Sequence, residues 1–353
     1  MKKPLNPWLD LCRSAAIIMV ILSHGRTFLL SAFPAAQTFK FGGFLGVELF
    51  FVLSGFLIGR IIFEKVKAAR TPLGWIPAFW FRRWMRTYPS YLLFLLLNLF
   101  FINNIRPEAL PNILAFSTFT QSLVHPHPTF FGEAWSLAVE EVFYFLFPIV
   151  IAVFLFITKD RKVSILLAIA AMILMSLLFR VNAALNTQLT FNEIRSTSLY
   201  RLDSLMIGVI FSWLFVSNKI NRFFWVGLLL IPIAIAIASQ PDAFMDESRF
   251  LKVFLFDIAN IGFACLITAF YNTDIPNAVK AVTSRIARWS YAAYLTNLPV
   301  LLALNHYLPK PDSAIGCLAM WSLFVAMTML SAKLVYELFE VRILRLRDRL
   351  KAA

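Results

Sequence analysis

Arg13 and His24, with ten residues between them, stand in the apolar stretch LDLCRSAAIIMVILSHG at residues 9–25. Ionisable side chains inside a hydrophobic run are costly and are functional candidates by default. On a helix this separation is about three turns, so the two side chains share one face and lie roughly 16 Å apart along the axis. Asp10 and Ser14 flank the arginine. Two readings stand side by side. In one, Arg13 snorkels to an interface and His24 hydrogen-bonds a neighbouring helix. In the other, His24 is a general base or nucleophile, and a nearby carboxylate fixes its tautomer and raises its basicity. The stretch WSLAVEEVFYFLFP supplies such a group. Ser136, Glu140 and Tyr144 lie in one line there, and Glu140 is about 7 Å along the helix from Trp135, a depth compatible with His24. Glu141 points about 100° away, toward another helix.

Other polar residues raise the same question. GFLGVELFFVLSGFLIGR sets Glu48 and Ser54 among aromatics and glycines. Gly42, Gly43, Gly46, Gly55 and Gly59 are spaced for close helix approach, and Glu48 needs a partner because an unpaired carboxylate in lipid is strongly unfavourable. In WFRRWMRTYP, Arg82 and Arg86 are four apart and Arg83 and Arg86 three apart, which makes one guanidinium-rich face. That face is either an anchor on anionic lipid or a phosphate clamp, and composition leaves both open. YRLDSLMIG adds Arg201 and Asp203, as a structural ion pair or as part of a sugar site. In HPHPTFFGEAW, His125 and His127 are too few for a metal site, so this reads as an outer loop with substrate-facing aromatics.

The elements that must hold these residues are membrane helices. Of the 353 residues 60% are hydrophobic and only 15% charged, and the mean hydropathy is +0.74, which excludes an ordinary soluble domain. Runs of about 20 apolar residues recur along the chain, each long enough for a bilayer core. They predict ten spans, at 9–31, 41–62, 88–104, 135–157, 163–181, 199–216, 223–239, 251–270, 286–307 and 317–339. The first follows Lys2 and Lys3, but it is too long for a signal peptide and lacks a small-residue cleavage site, so it reads as a retained helix. Cys12, Cys265 and Cys317 imply neither a disulfide framework nor a metal site. The net charge of +14 is spread over loops, which argues against nucleic acid. With the N-terminus inside, 20 of the 33 Lys and Arg fall in inner segments by these bounds, 5 in outer ones and 8 within spans, predicting both termini in the cytoplasm. No internal repeat or appended soluble domain is evident.

As a set, these residues resemble the membrane acyltransferase-3 family, bacterial enzymes that O-acetylate cell-surface carbohydrates. The resemblance covers nearly the whole chain. It rests on Arg13 and His24, GVELFFVLSGFLI, Arg83-x-x-Arg86 followed by Pro89, WSLAVEEVFYFLFP, RLDSLMIG and WSYAAYLTNLP. It implies an all-α polytopic fold of about ten transmembrane helices around a central cavity, as a single domain over residues 1–353 in the bacterial inner membrane. It further implies an acyl-CoA donor, usually acetyl-CoA, at the cytoplasmic face. The acceptor would be a surface polysaccharide or its lipid-linked precursor, reached from the periplasmic side. Carried over by motif, His24 is the catalytic histidine, Glu140 a helper, and Arg13, Arg83 and Arg86 the donor-side cations, with Arg82 beside them. Glu48, Ser54, Trp135, Ser136 and Tyr144 are expected on the acceptor side, as are Arg201, Asp203 and Asn297. Arg13 would then face the CoA phosphates, with the pantetheine arm running up the same helix face to His24. No metal or nucleic acid is expected; membrane lipids surround the protein, and the oligomeric state stays open.

Two departures from the family pattern matter. Asn297 stands where many members have histidine, which puts that position's role in doubt, and Val341 stands where proline is frequent. A secondary transporter is the rival reading, with intramembrane charges lining a solute path. Against it, the chain shows no repeated halves and no matched pair of broken spans. A lipid-binding scaffold without chemistry is a third.

Overall fold

The computed structural model describes residues 6–68, 71–105, 111–216 and 223–350. Lys2, Lys3, Arg70, Lys219, Arg222 and Lys351 of the inner-segment count lie outside these residues, as does Arg106 of the outer count. All regular structure among the described residues is helical. Ten helices have 15 residues or more: α1 (Pro7–Gly25), α2 (Phe41–Ala68), α3 (Ile76–Ile105), α4 (Ala134–Thr158), α5 (Arg161–Asn186), α6 (Leu202–Val216), α7 (Phe224–Ala238), α8 (Arg249–Ala269), α9 (Asn277–Tyr307) and α10 (Ala314–Val335). Short helices at Ile113–Ser117, Phe191–Arg195 and Asp242–Glu247 sit in the connections. A π turn, Tyr336–Glu340, leads into a final helix at Val341–Leu350.

Each predicted span overlaps one of these ten helices. By length and composition, seven helical segments are long and apolar enough to cross a membrane. The other three helices depart for identifiable reasons: α7 is apolar but only 15 residues long, whereas α3 and α9 are long but more polar. Both contribute polar residues to the interior. Prolines inside α3, α4, α7 and α9 are accommodated because neighbouring helices and side chains re-satisfy the freed backbone groups.

Helix α2 is the centre of the bundle and packs on α1, α6 and α8. Its glycines make this possible, as their spacing predicts. A Cβ on Gly42 would lie 2.3 Å from the carbonyl oxygen of Met19 in α1, and one on Gly55 only 1.9 Å from that of Leu205 in α6. Gly208 answers from α6, where a Cβ would stand 2.3 Å from the carbonyl oxygen of Val52. Any side chain at these crossings would drive the backbones apart. Helix α9 packs between α1 and α10, and α4 against α5 while also touching α2 and α3. Asn6 caps α1 by accepting from the Leu9 N–H and ties it to the end of α8 by donating to the Tyr271 carbonyl. Cys12, Cys265 and Cys317 are free and buried.

Candidate functional site

Helices α1 and α9 bring His24 and Asn297 together, with Nδ1 of the imidazole 2.5 Å from Oδ1 of the amide. The amide nitrogen of Asn297 donates to the carbonyls of Tyr294 at 2.6 Å and Ala293 at 3.1 Å, about one turn back on α9. That leaves Oδ1 facing the imidazole. An amide oxygen can only accept, so Nδ1–H of His24 is the donor and the lone pair resides on Nε2. Nε2 has no hydrogen-bond partner among the described residues, while Asn297 is completely buried. The fully buried amide thus fixes the tautomer that a base or nucleophile acting through Nε2 requires.

His24 lines a cavity of about 260 Å³ at this end of α1. Trp135 from α4 and Tyr294 from α9 form part of its wall. Ser136 lies just behind, sharing a 2.6 Å hydrogen bond with the Tyr294 hydroxyl. Phe131, in the left-handed region at φ 49°, is buried and stacked on Tyr91 at 5.3 Å, which anchors the turn that delivers Glu133 to the cavity. Glu133 is buried, and its Oε1 meets no partner. His127, in the same connection, hydrogen-bonds through Nε2 to the Phe131 carbonyl at 3.2 Å, and burial pushes its pKa down to about 4. Among the described residues no group of three or more His, Cys, Asp and Glu is placed to hold a metal ion.

Arg195 enters the same cavity from the short helix Phe191–Arg195. A capping box sets the start of that helix: the Glu193 N–H donates to Thr190 Oγ1 at 3.2 Å, and the Glu193 carboxylate accepts from the Thr190 N–H at 2.7 Å. These bonds favour the charged form and hold the Glu193 carboxyl below its usual value. The Arg195 guanidinium lies 4.8 Å from the Trp135 ring centroid and donates to the Gly43 carbonyl. Arg26 and the Lys40–Asp242 ion pair, 3.0 Å long, complete the polar rim.

Glu140 is elsewhere. It accepts from the Ser54 hydroxyl at 2.8 Å and from the Tyr144 hydroxyl at 3.0 Å, and it does not line the His24 cavity. The Arg83 guanidinium sits 4.2 Å from the centroid of the Tyr144 ring. Arg13, Arg83 and Arg86 interact electrostatically with one another and with Glu140 and Tyr144. None of the three forms a salt bridge within the described residues. The expected pairing of Glu140 with His24 is therefore corrected. Glu140 lies deeper along α4 than Trp135 and belongs to the arginine cluster, and Asn297 orients the imidazole. Arg82 is exposed and takes no part in these interactions. Glu141 does face another helix, accepting from Thr87 of α3 at 2.7 Å.

Glu48, Arg201 and Asp203 also stand apart from the cavity. Arg201 Nη2 meets both oxygens of Glu48, at 2.8 and 2.6 Å, and Asn260 donates to the same carboxylate at 3.0 Å. Asp203 pairs with Arg180 at 2.5 Å, and Arg180 reaches Asp257 at 2.7 Å. Glu48, Arg201, Asp203 and Arg180 are fully buried. These contacts tie α2 to α6 and α8, and α5 to α6 and α8; Arg201 and Asp203 do not pair with each other but each enters a structural ion pair with another helix.

The sequence reading passed over Arg26, Arg195, Glu133 and Tyr294. Arg195 lies in a connection that looks like ordinary loop, although Thr190-x-x-Glu193 is a readable capping signal for a short helix. Glu133 stood in a stretch quoted for its histidines.

Residues 6–336 match the model of a family described as an acyltransferase domain. The O-acetyltransferase OatA of Staphylococcus aureus is 25% identical over 369 residues, covering 96% of this chain and 57% of the relative. The peptidoglycan O-acetyltransferase OatA of Listeria monocytogenes is 31% identical over 183 residues, 46% of this chain and 27% of the relative. The chain thus spans little more than half the length of the Staphylococcus relative and about a quarter of the Listeria one. No solved structure matches it.

Proposed function

Because the chain belongs to the acyltransferase domain family, we propose that it transfers an acyl group from acyl-CoA to a hydroxyl of a surface polysaccharide or its lipid-linked precursor. The relatives, an O-acetyltransferase and a peptidoglycan O-acetyltransferase, favour acetyl as the group and a polysaccharide as the acceptor. The observation that carries the reading is the Asn297-fixed imidazole, with Nε2 free beside a polar cavity, and Arg13 farther down the same helix clustered with Arg83 and Arg86 of α3. Arg13, Arg83 and Arg86 take the donor's phosphates, since guanidinium forks match phosphate oxygens. Glu140, held by Ser54 and Tyr144, offsets part of their mutual repulsion.

His24 acts at the junction between donor and acceptor. Its Nε2 lone pair takes the proton of the acceptor hydroxyl as that oxygen attacks the thioester carbonyl. The carbon–sulfur bond then breaks, and the departing thiolate receives the proton from the imidazolium, which restores the neutral ring. Ten spans with both termini cytoplasmic, in a single domain over residues 1–353 of a bacterial inner membrane, would set the arginine cluster inside and the His24 cavity on the periplasmic side. The test is release of free thiol from acetyl-CoA by purified protein in nanodiscs with a glycan acceptor, and mass analysis of that glycan. His24→Ala should abolish both signals while the protein stays folded. Solute uptake without thiol release would instead establish the transporter, and full activity of His24→Ala would remove the histidine from the mechanism.

A further inference from the structure

Two arginines face the His24 cavity without an acid of their own. Elsewhere in the interior, Arg180 and Arg201 each meet carboxylate oxygens at 2.5 to 2.7 Å. Arg26 and Arg195 form no salt bridge; the first donates to the Ser23 carbonyl and the second to the Gly43 carbonyl. The Nε of each is shielded from solvent and meets no acceptor. Both arginines line the same cavity as His24.

The carboxylates nearby do not fill this role. Asp242 lines the cavity but bonds Lys40, and its side chain is 60% exposed, so solvent screens its field. Glu48 attracts Arg195 at a distance but is committed to Arg201 and Asn260. Glu133 shares the cavity, yet its Oε1 pairs with neither arginine. Unfilled guanidinium donors and an unfilled carboxylate oxygen on the wall of one cavity are complementary to a ligand that carries both an oxyanion and hydroxyl groups.

We propose that the acceptor carries an oxyanion beside its reactive hydroxyl, docked between Arg26 and Arg195, with Glu133 accepting a hydrogen bond from a second sugar hydroxyl. The volume of about 260 Å³ suits one sugar unit of a longer chain rather than several. Two sources share this chemistry, a carboxylate on the sugar itself or a phosphate of a lipid-linked precursor. The proposal rests on the acyl-transfer reading for the role of the hydroxyl, but anion recognition is measurable without any transfer.

The experiment is calorimetric titration, with no acyl-CoA present, into the protein in nanodiscs. Three probes are used: a neutral oligosaccharide, the same oligosaccharide with a terminal uronic acid, and a polyprenyl pyrophosphate disaccharide. The wild type should bind at least one anionic probe tenfold or more tighter than the neutral one, with an affinity that falls as salt is added. Arg26→Gln and Arg195→Gln should each lose at least fivefold for that probe and little for the neutral one. Arg195→Lys should recover part of the loss, and melting curves establish that each variant is folded. Preference for the uronic acid assigns the anion to the sugar, and preference for the pyrophosphate assigns it to the carrier; either supports the proposal. Equal affinity of the wild type for neutral and anionic probes, no binding of any probe, or unchanged anionic affinity in both glutamine variants overturns it. Anion discrimination without thiol release from acetyl-CoA would sink the acyl-transfer reading alone.

Discussion

Replacing Asn297 with leucine tests whether the amide sets the chemistry of His24. Leucine keeps the branching at Cγ but is larger and loses the amide's bonds to the Ala293 and Tyr294 carbonyls, so melting curves must first show that the crossing of α1 and α9 survives. The change removes the Oδ1 acceptor 2.5 Å from Nδ1. A buried donor left unmatched costs about 1–3 kcal/mol. The imidazole escapes this cost by moving its proton to Nε2, which withdraws the lone pair from the cavity. At about 1.36 kcal/mol per tenfold in rate, turnover should fall about 5- to 150-fold. Acyl-CoA affinity should hold, because the arginine cluster lies about three turns away along α1. Thiol release from acetyl-CoA measures turnover. Nitrogen NMR of 15N-histidine protein reads the tautomer directly, with only four histidines in the chain. The wild type should show Nδ1 protonated at His24 and Asn297→Leu should show Nε2 protonated. Wild-type turnover in Asn297→Leu, or an unchanged tautomer, refutes the argument.

Three further outcomes follow from the same geometry. Alanine at Arg13, Arg83 or Arg86 should weaken acyl-CoA binding by about 1–3 kcal/mol, the scale of a hydrogen bond to a charged group, whereas His24→Ala should keep donor affinity; calorimetric titration with CoA distinguishes the two patterns. Glu48→Gln leaves the Arg201 charge buried without its counter-ion and should cost about 3–5 kcal/mol of stability, read as a lower melting temperature and yield, with acyl-CoA affinity of the surviving folded fraction unchanged. Gly208→Ala puts a Cβ 2.3 Å from the Val52 carbonyl oxygen, and overpacking on this scale costs about 1–3 kcal/mol; a melting temperature equal to wild type would show that α2 and α6 have slack at this crossing.

Much of this protein is written in local pattern. Twenty-residue apolar runs specify membrane helices because the bilayer rewards them directly, and the spacing of Arg13 and His24 on one face follows from helix geometry alone. The glycines of α2 announce close crossings, and the cations of WFRRWMRTYP announce a face for anions, since both depend on residues a few positions apart. Three predicted spans were less apolar or shorter than a bilayer core needs by composition, and it is α3 and α9, the polar ones, that carry the half-buried Arg83 and the fully buried Asn297. Tertiary structure alone decided who meets whom. His24 and Asn297 are 273 positions apart, and Glu48 and Arg201 are 153 apart. Nothing in helical periodicity says which two faces will touch. Glu140 sits deeper than His24, among Ser54, Tyr144 and the arginine cluster, and the turn at Phe131 brings Glu133 to the cavity instead. Arg195 reached the site through a five-residue helix in a connection, where no hydrophobic repeat could mark it. The helices are properties of segments, while the site is a property of how their faces meet.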